Sequence, residues 1–128
     1  MSRIRGRGNM ATEIAFIRLL RKNKIIGWRR HKLKFGKPDF IFERVRLALF
    51  VDGCFWHGCP RCYSEPKSNR AFWRRKVTVN RKRDLTVNRT LRKSGWQVLR
   101  IWQHELTKKN EKRLLRKIKQ RLSVGKGV

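Results

Sequence analysis

Asp39, Asp52, His57, all three cysteines and the neighbouring rings of Phe55 and Trp56 fall between residues 37 and 62, from Lys37-Pro38-Asp39 to the run VDGCFWHGCPRC that ends at Cys62. The chain has only eight acids and no cysteine outside this window, so its chemistry is concentrated here. Cys59 and Cys62 stand in a Cys-Pro-Arg-Cys turn, a spacing that lets two thiolates face one tetrahedral zinc, and Cys54 offers a third. In a reducing compartment, clustered cysteines suit a metal better than a disulfide; as isolated residues they would be ordinary small core side chains. His31, His57 and His104 are the only histidines available for the fourth corner. A closed site of three cysteines and a histidine is structural, with no position left for substrate.

The acids form a second constellation. Asp39 opens one run of strand type and Asp52 closes the next, and in an antiparallel hairpin those ends lie at the same side of the ladder. Either acid alone would pair with one of the abundant arginines. Together they make a hard oxygen site for Mg2+ beside a phosphodiester. His57 could deprotonate a water there, because imidazole is the side chain that titrates near neutrality.

The third constellation is aromatic. Phe55 and Trp56 sit between Gly53 and Gly58, and Trp73 follows. Such rings are usually core. In a metal-pinned loop they suit insertion between base steps, where apolar wedges unstack and kink a duplex. Lys76, Asn80 and Arg83, at helical spacing behind Trp73, could hold phosphates or base edges.

These side chains need elements to hold them. Apolar periodicity predicts a helix from Thr12 to about Asn23, with Thr12 as N-cap and Glu13 in the first turn, where the helix dipole favours an acid. A connection or short edge strand follows over residues 25 to 33. Residues 39–42 and 47–52 read as a hairpin, and LALFV is apolar on both faces, as in a strand covered on both sides. A long helix is predicted over 69–93, with Trp73, Val77, Asn80, Asp84, Val87 and Leu91 on one face, closed by Ser94 and Gly95. The strand at 96–102 then lies parallel to 47–51, a crossover that carries His104 to the edge where Cys54 lies and favours it as the fourth zinc ligand. A last helix over about 107–122 presents Leu114, Leu115, Ile118 and Leu122 as an apolar stripe.

At 128 residues the chain reads as one α/β domain over residues 11–122, with a basic arm at 1–10 and a tail at 123–128. Its net charge of +28, from 36 Lys and Arg against 8 Asp and Glu, points to a polyanion and first to nucleic acid. No stretch approaches the about 20 apolar residues of a membrane span, and no apolar run of about 7–15 follows the basic opening, so neither a membrane nor secretion is expected. A cytoplasmic location follows as the expectation, with association to the nucleoid through DNA.

The sequence resembles the Vsr family, the very short patch repair endonucleases. The likeness lies in the MSRIRG opening, Glu13, PDFIF at 38–42, FVDGCFWHGCP at 50–60, the helix with Trp73, Asn80, Arg83 and Asp84, and GWQVLRIW at 95–102. The resemblance implies a restriction-endonuclease-like fold of the PD-(D/E)XK type, a mixed central sheet flanked by helices with a zinc-stabilised loop. It also implies a Mg2+-dependent nick in one DNA strand, 5′ to the T of a T:G mismatch.

On matching positions, Asp39 becomes the metal-binding aspartate, His57 the general base, Glu13 an outer-sphere helper, and Phe55, Trp56 and Trp73 the wedge. Cys54 falls on a zinc ligand and His104 where a family cysteine closes that site. The chain departs from the pattern at Asp52, where the best-known form has histidine, in one extra residue before Cys62, and in having Cys54 where the restriction-enzyme core has a lysine. The expected partner is mismatched double-stranded DNA, with mismatch-repair accessory proteins as further partners and a monomer as the expected state. The rivals are a nuclease for another lesion or for invading DNA, and a zinc-stabilised DNA binder without catalysis.

Overall fold

Each run that alternates or saturates with apolar residues finds its cover in a four-stranded sheet. The computed structural model describes residues 10–30, 35–54, 59 and 66–123. The strands are β1 (Trp28–Arg30), β2 (Phe40–Phe42), β3 (Leu47–Asp52) and β4 (Gln97–Trp102), in spatial order β1-β2-β3-β4. The helices are α1 (Met10–Lys22), α2 (Arg70–Lys93) and α3 (Glu111–Ser123). β1, β2 and β3 pair antiparallel, while β3 and β4 pair parallel from Leu47↔Gln97 to Asp52↔Trp102. The two long strands, β3 and β4, therefore end at one edge, as the strand-helix-strand order requires.

β3 is buried on both faces because helices lie on both. On one side Phe16 and Leu20 of α1 and Leu114 and Ile118 of α3 pack with Phe40, Leu47, Leu49 and Ile101. Phe16 and Phe40 meet with ring centroids 4.9 Å apart. On the other side α2 covers a smaller cluster of Ala48, Phe50, Leu91 and Val98. Val77 and Leu91 of α2 are buried and Trp73, Asn80, Asp84 and Val87 half-buried, so this helix turns the expected face to the sheet. The parts form a single mixed α/β domain. Among the described residues no helix is long and apolar enough to cross a membrane.

Two helix starts differ from the sequence expectation. α1 begins at Met10, so Thr12 lies within the helix rather than capping it, although Glu13 stays in the first turn. α3 begins at Glu111 rather than near Thr107, after a short 3-10 turn at Lys108–Asn110. The cause is local competition for a carbonyl: Thr107 Oγ1 and Asn110 Nδ2 both donate to the backbone oxygen of His104, each at 3.1 Å. Side chains of this kind offer the backbone an alternative to the helical ladder.

The turn into β2 depends on Gly36. Its φ of +75° is one that residues with a Cβ rarely adopt, and a Cβ there would stand 2.7 Å from Val87 Cγ1 of α2. Lys37 follows at φ 47°, then buried Pro38 and Asp39. The backbone is thus bent tightly against α2 immediately before the first acid.

Candidate active site and metal centre

The edge where β3 and β4 end gathers Asp39, Asp52, Cys54, Cys59 and His104. Phe40 pairs with Leu49, which brings Asp39 level with Phe50, and Asp52 lies two residues further along the same strand. Diagonal neighbours of this kind are about 7–8 Å apart. Asp39 Oδ2 accepts a hydrogen bond from the Val51 N–H at 2.7 Å, so its carboxylate is tied to the strand that carries Asp52. Asp39 and Asp52 are only 5% and 6% exposed, a condition carboxylates tolerate when they are hydrogen-bonded or paired.

Asp52 has such a partner. Its Oδ1 lies 2.9 Å from Arg100 Nη1, and the same guanidinium reaches Asp84 Oδ1 at 3.5 Å and donates through Nε to Asn88 Oδ1 at 2.7 Å. Arg100 also lies over the Phe50 ring, 4.0 Å from its centroid. One cation on β4 thus joins the end of β3 to the middle of α2. Sequence reasoning missed it: Arg100 is one of 36 basic residues, and only its place in WQVLRIW, two positions from inward Val98, marks it as facing α2. Glu13, 5% exposed, pairs with Arg30 of β1, and Arg30 is in register with Phe40. That pairing places Glu13 at the same edge as Asp39.

The second group is sulfur and nitrogen. Cys54 Sγ and Cys59 Sγ stand 3.5 and 3.6 Å from His104 Nδ1, and the three donor atoms lie within 4.8 Å of one another. Two ligands at the usual Zn–S and Zn–N lengths of a tetrahedral site are about 3.6 Å apart, so these residues fit zinc. The loop is closed by the Cys59 N–H donating to Cys54 O at 2.9 Å. His104 is held by the bonds to its carbonyl from Thr107 and Asn110. Next to it, buried Glu105 accepts from the Trp102 N–H at 2.8 Å and from Lys117 Nζ at 2.7 Å, bracing the strand end against α3. A cavity of about 230 Å³ opens beside the group, lined in part by Cys59, Trp102, His104, Asn110 and Arg113.

Of the expected DNA contacts, Lys76 and Arg83 are exposed on α2, while Trp73 and Asn80 are half-buried. Trp73 meets exposed Phe72 edge-on at 5.0 Å, and Arg83 Nη1 lies 3.4 Å from Asn80 Oδ1. Phe55, Trp56, His57 and Cys62 lie outside the described residues, and so does His31.

Residues 1–63 match the family model described as DNA mismatch endonuclease Vsr, and this stretch contains Glu13, Asp39, Asp52, Cys54 and Cys59. Over these residues the chain is similar to the Vsr family. Its similarity to the type II nicking enzyme V.NaeI of Lentzea aerocolonigenes is 48% identity over 69 residues, 54% of this chain and 42% of that protein. With the type II nicking enzyme V.NmeAIP of Neisseria meningitidis it shares 38% over 91 residues, 66% of this chain and 64% of the relative. With the DNA mismatch endonuclease Vsr of Escherichia coli it shares 37% over 70 residues, 53% and 44% of the two chains. The chain spans about half the length of the Vsr-type relatives it matches.

Proposed function

We propose that this chain is a Mg2+-dependent, strand-specific DNA endonuclease that nicks duplex DNA at mismatches, 5′ to the T of a T:G pair, in very short patch repair. The observation that carries the reading is Asp39: a nearly inaccessible carboxylate tied to the end of β3, one diagonal step from Asp52. A protein that only bound phosphates would gain little from such a pair. The family model and the names of the relatives, nicking enzymes and a mismatch endonuclease, point the same way.

In this reading Asp39 and Asp52 hold Mg2+, which when bound stabilises charge on the phosphate and on the leaving oxygen. Asp52 is positioned through Arg100, and Glu13 acts from the outer sphere. His57 takes the proton from the attacking water. Phe55, Trp56 and Trp73 enter the distorted duplex, while Lys76, Asn80 and Arg83 hold phosphates and base edges. Cys54, Cys59, Cys62 and His104 hold a structural zinc that fixes the loop carrying the rings. The core is that of the restriction endonucleases, and the protein works as a monomer on cytoplasmic DNA with mismatch-repair proteins as partners.

The test is cleavage of matched and T:G duplexes across a Mg2+ titration, with the nick mapped to the nucleotide. A single nick 5′ to the mispaired T, absent without Mg2+, is expected. Binding without product at any Mg2+ concentration selects the non-catalytic binder, and equal cleavage of another mismatch selects a different lesion. Metal analysis is expected to find about one zinc per chain, lost in His104→Ala. Zinc retained in His104→Ala but lost in His57→Ala would move the ligand and remove the general base.

A further inference from the structure

α3 is amphipathic, and its apolar side faces the sheet: Leu114 and Ile118 are inaccessible beneath the sheet face shared with α1, and Leu115 and Leu122 are half-buried beside them. That packing fixes which side faces solvent. Lys112, Arg116 and Lys119 follow one another at four- and three-residue spacing, forming a stripe along the helix, and Lys108, Lys109 and Arg113 extend it at the N-terminal end. All six are exposed, and none forms an ion pair among the described residues. The one acid of α3, Glu111, pairs with Lys22 of α1, and Lys117 is taken by Glu105.

The stripe begins beside His104, at the edge that holds the candidate site. Toward its far end the helix is tied to β4 by Arg121, which lies off the stripe on the sheet side and whose Nη1 donates to Val98 O at 3.0 Å. It lies on the α1 side of the sheet, opposite α2. From Lys112 to Lys119 the helix rises about 10 Å, and a B-DNA strand presents one phosphate charge per about 3.4 Å of axis. Three exposed cations over that length match a run of backbone phosphates. α3 also lies beyond the residues that the Vsr model covers.

We propose that the exposed face of α3 is a second docking surface for the phosphate backbone of duplex DNA, separate from the α2 contacts and on the opposite side of the sheet. It binds duplex without reading sequence and holds DNA beyond the nick site against the back of the domain. The surface rests on the reading of the chain as a DNA-acting protein and adds to it a contact that the mismatch chemistry does not require.

The test uses the full chain, Mg2+-free buffer and a matched duplex, with affinity measured across a salt series. In a Lys112→Gln/Arg116→Gln/Lys119→Gln variant the slope of log K against log salt is expected to shrink by about 2–3 units, at about 0.9 for each phosphate that is no longer neutralised. A charge-matched control, Arg21→Gln/Lys24→Gln/Arg44→Gln, removes three exposed cations elsewhere and is expected to shrink it by less than about one. Nicking of a T:G duplex at saturating protein should be the same in parent and α3 variant. Equal slope changes in the two triple variants would mean diffuse charge and overturn the proposal. So would an unchanged slope in the α3 variant, or loss of binding to phosphatidylserine vesicles with the DNA slope intact, which would assign the face to anionic lipid. A parent that nicks T:G DNA while the α3 slope stays put sinks only this surface; a parent that binds no duplex sinks the nuclease reading as well.

Discussion

The two faces of the sheet are held together by different forces. Toward α1 and α3 the interior is apolar, with Phe16, Leu20, Phe40, Leu47, Leu114 and Ile118 nearly inaccessible. Toward α2 the apolar cluster is small, and beside it Arg100 binds Asp52, Asp84 and Asn88. Apolar packing is strong but undirected, whereas a guanidinium set among acids fixes angles. The first face supplies stability and the second supplies geometry. Asp39 and Asp52 of the candidate site lie where geometry is supplied.

Substitutions can break that division. Asp39→Ala is expected to have the largest effect, slowing T:G nicking by about 10⁴-fold, or roughly 5.4 kcal/mol of barrier, against a stability loss of only about 1–3 kcal/mol from the Val51 N–H that loses its acceptor. A variant that nicks like the parent would remove Asp39 from the chemistry. Phe16→Ala should do the reverse: a loss of about 3–5 kcal/mol in denaturant unfolding, with the nicking rate per folded molecule retained. If its rate per folded molecule falls as far as that of Asp39→Ala, the two faces are not separable in function.

Arg100→Met comes next, with an expected stability loss of about 2–3 kcal/mol from acids left without their cation, reduced because the group keeps some contact with water. The informative quantity is a double-mutant cycle with Asp52→Asn, where coupling of at least about 1 kcal/mol is expected; additive losses would deny the directed link. The smallest effect is set for Gly36→Ala, about 1–2 kcal/mol, from strain at positive φ and the collision with Val87. Its sharper consequence is in Mg2+ titration, where the half-saturating concentration should rise because the turn delivers Asp39.

Much of this arrangement is legible in the sequence. The all-apolar LALFV requires a central strand, the order of strand, long helix and strand requires a parallel pair, and the two together carry His104 to Cys54. The α2 face can be read because its apolar positions keep helical spacing through strongly basic sequence. Where α1 and α3 begin cannot, because Thr12 and Thr107 are plausible caps by type and only tertiary bonds decide whether they act as caps. Arg100 is hidden for another reason. A charge reveals a buried role only through its partners, and Asp52 and Asp84 lie 48 and 16 positions away in a chain dense with cations. The acid pair is legible as a pair of strand ends, yet its diagonal offset follows from register, which pattern alone does not set.

Cys54 and His104 are 50 residues apart in the chain and 3.5 Å apart in space. A metal gripping both would act as a reversible staple across the entire crossover, narrowing the freedom of the unfolded polymer by about 4 kcal/mol in the chain-entropy treatment of a cross-link. The helix inside that staple would be tethered at both of its roots, so that exposed Lys76 and Arg83 are carried at a set height above the strands beneath.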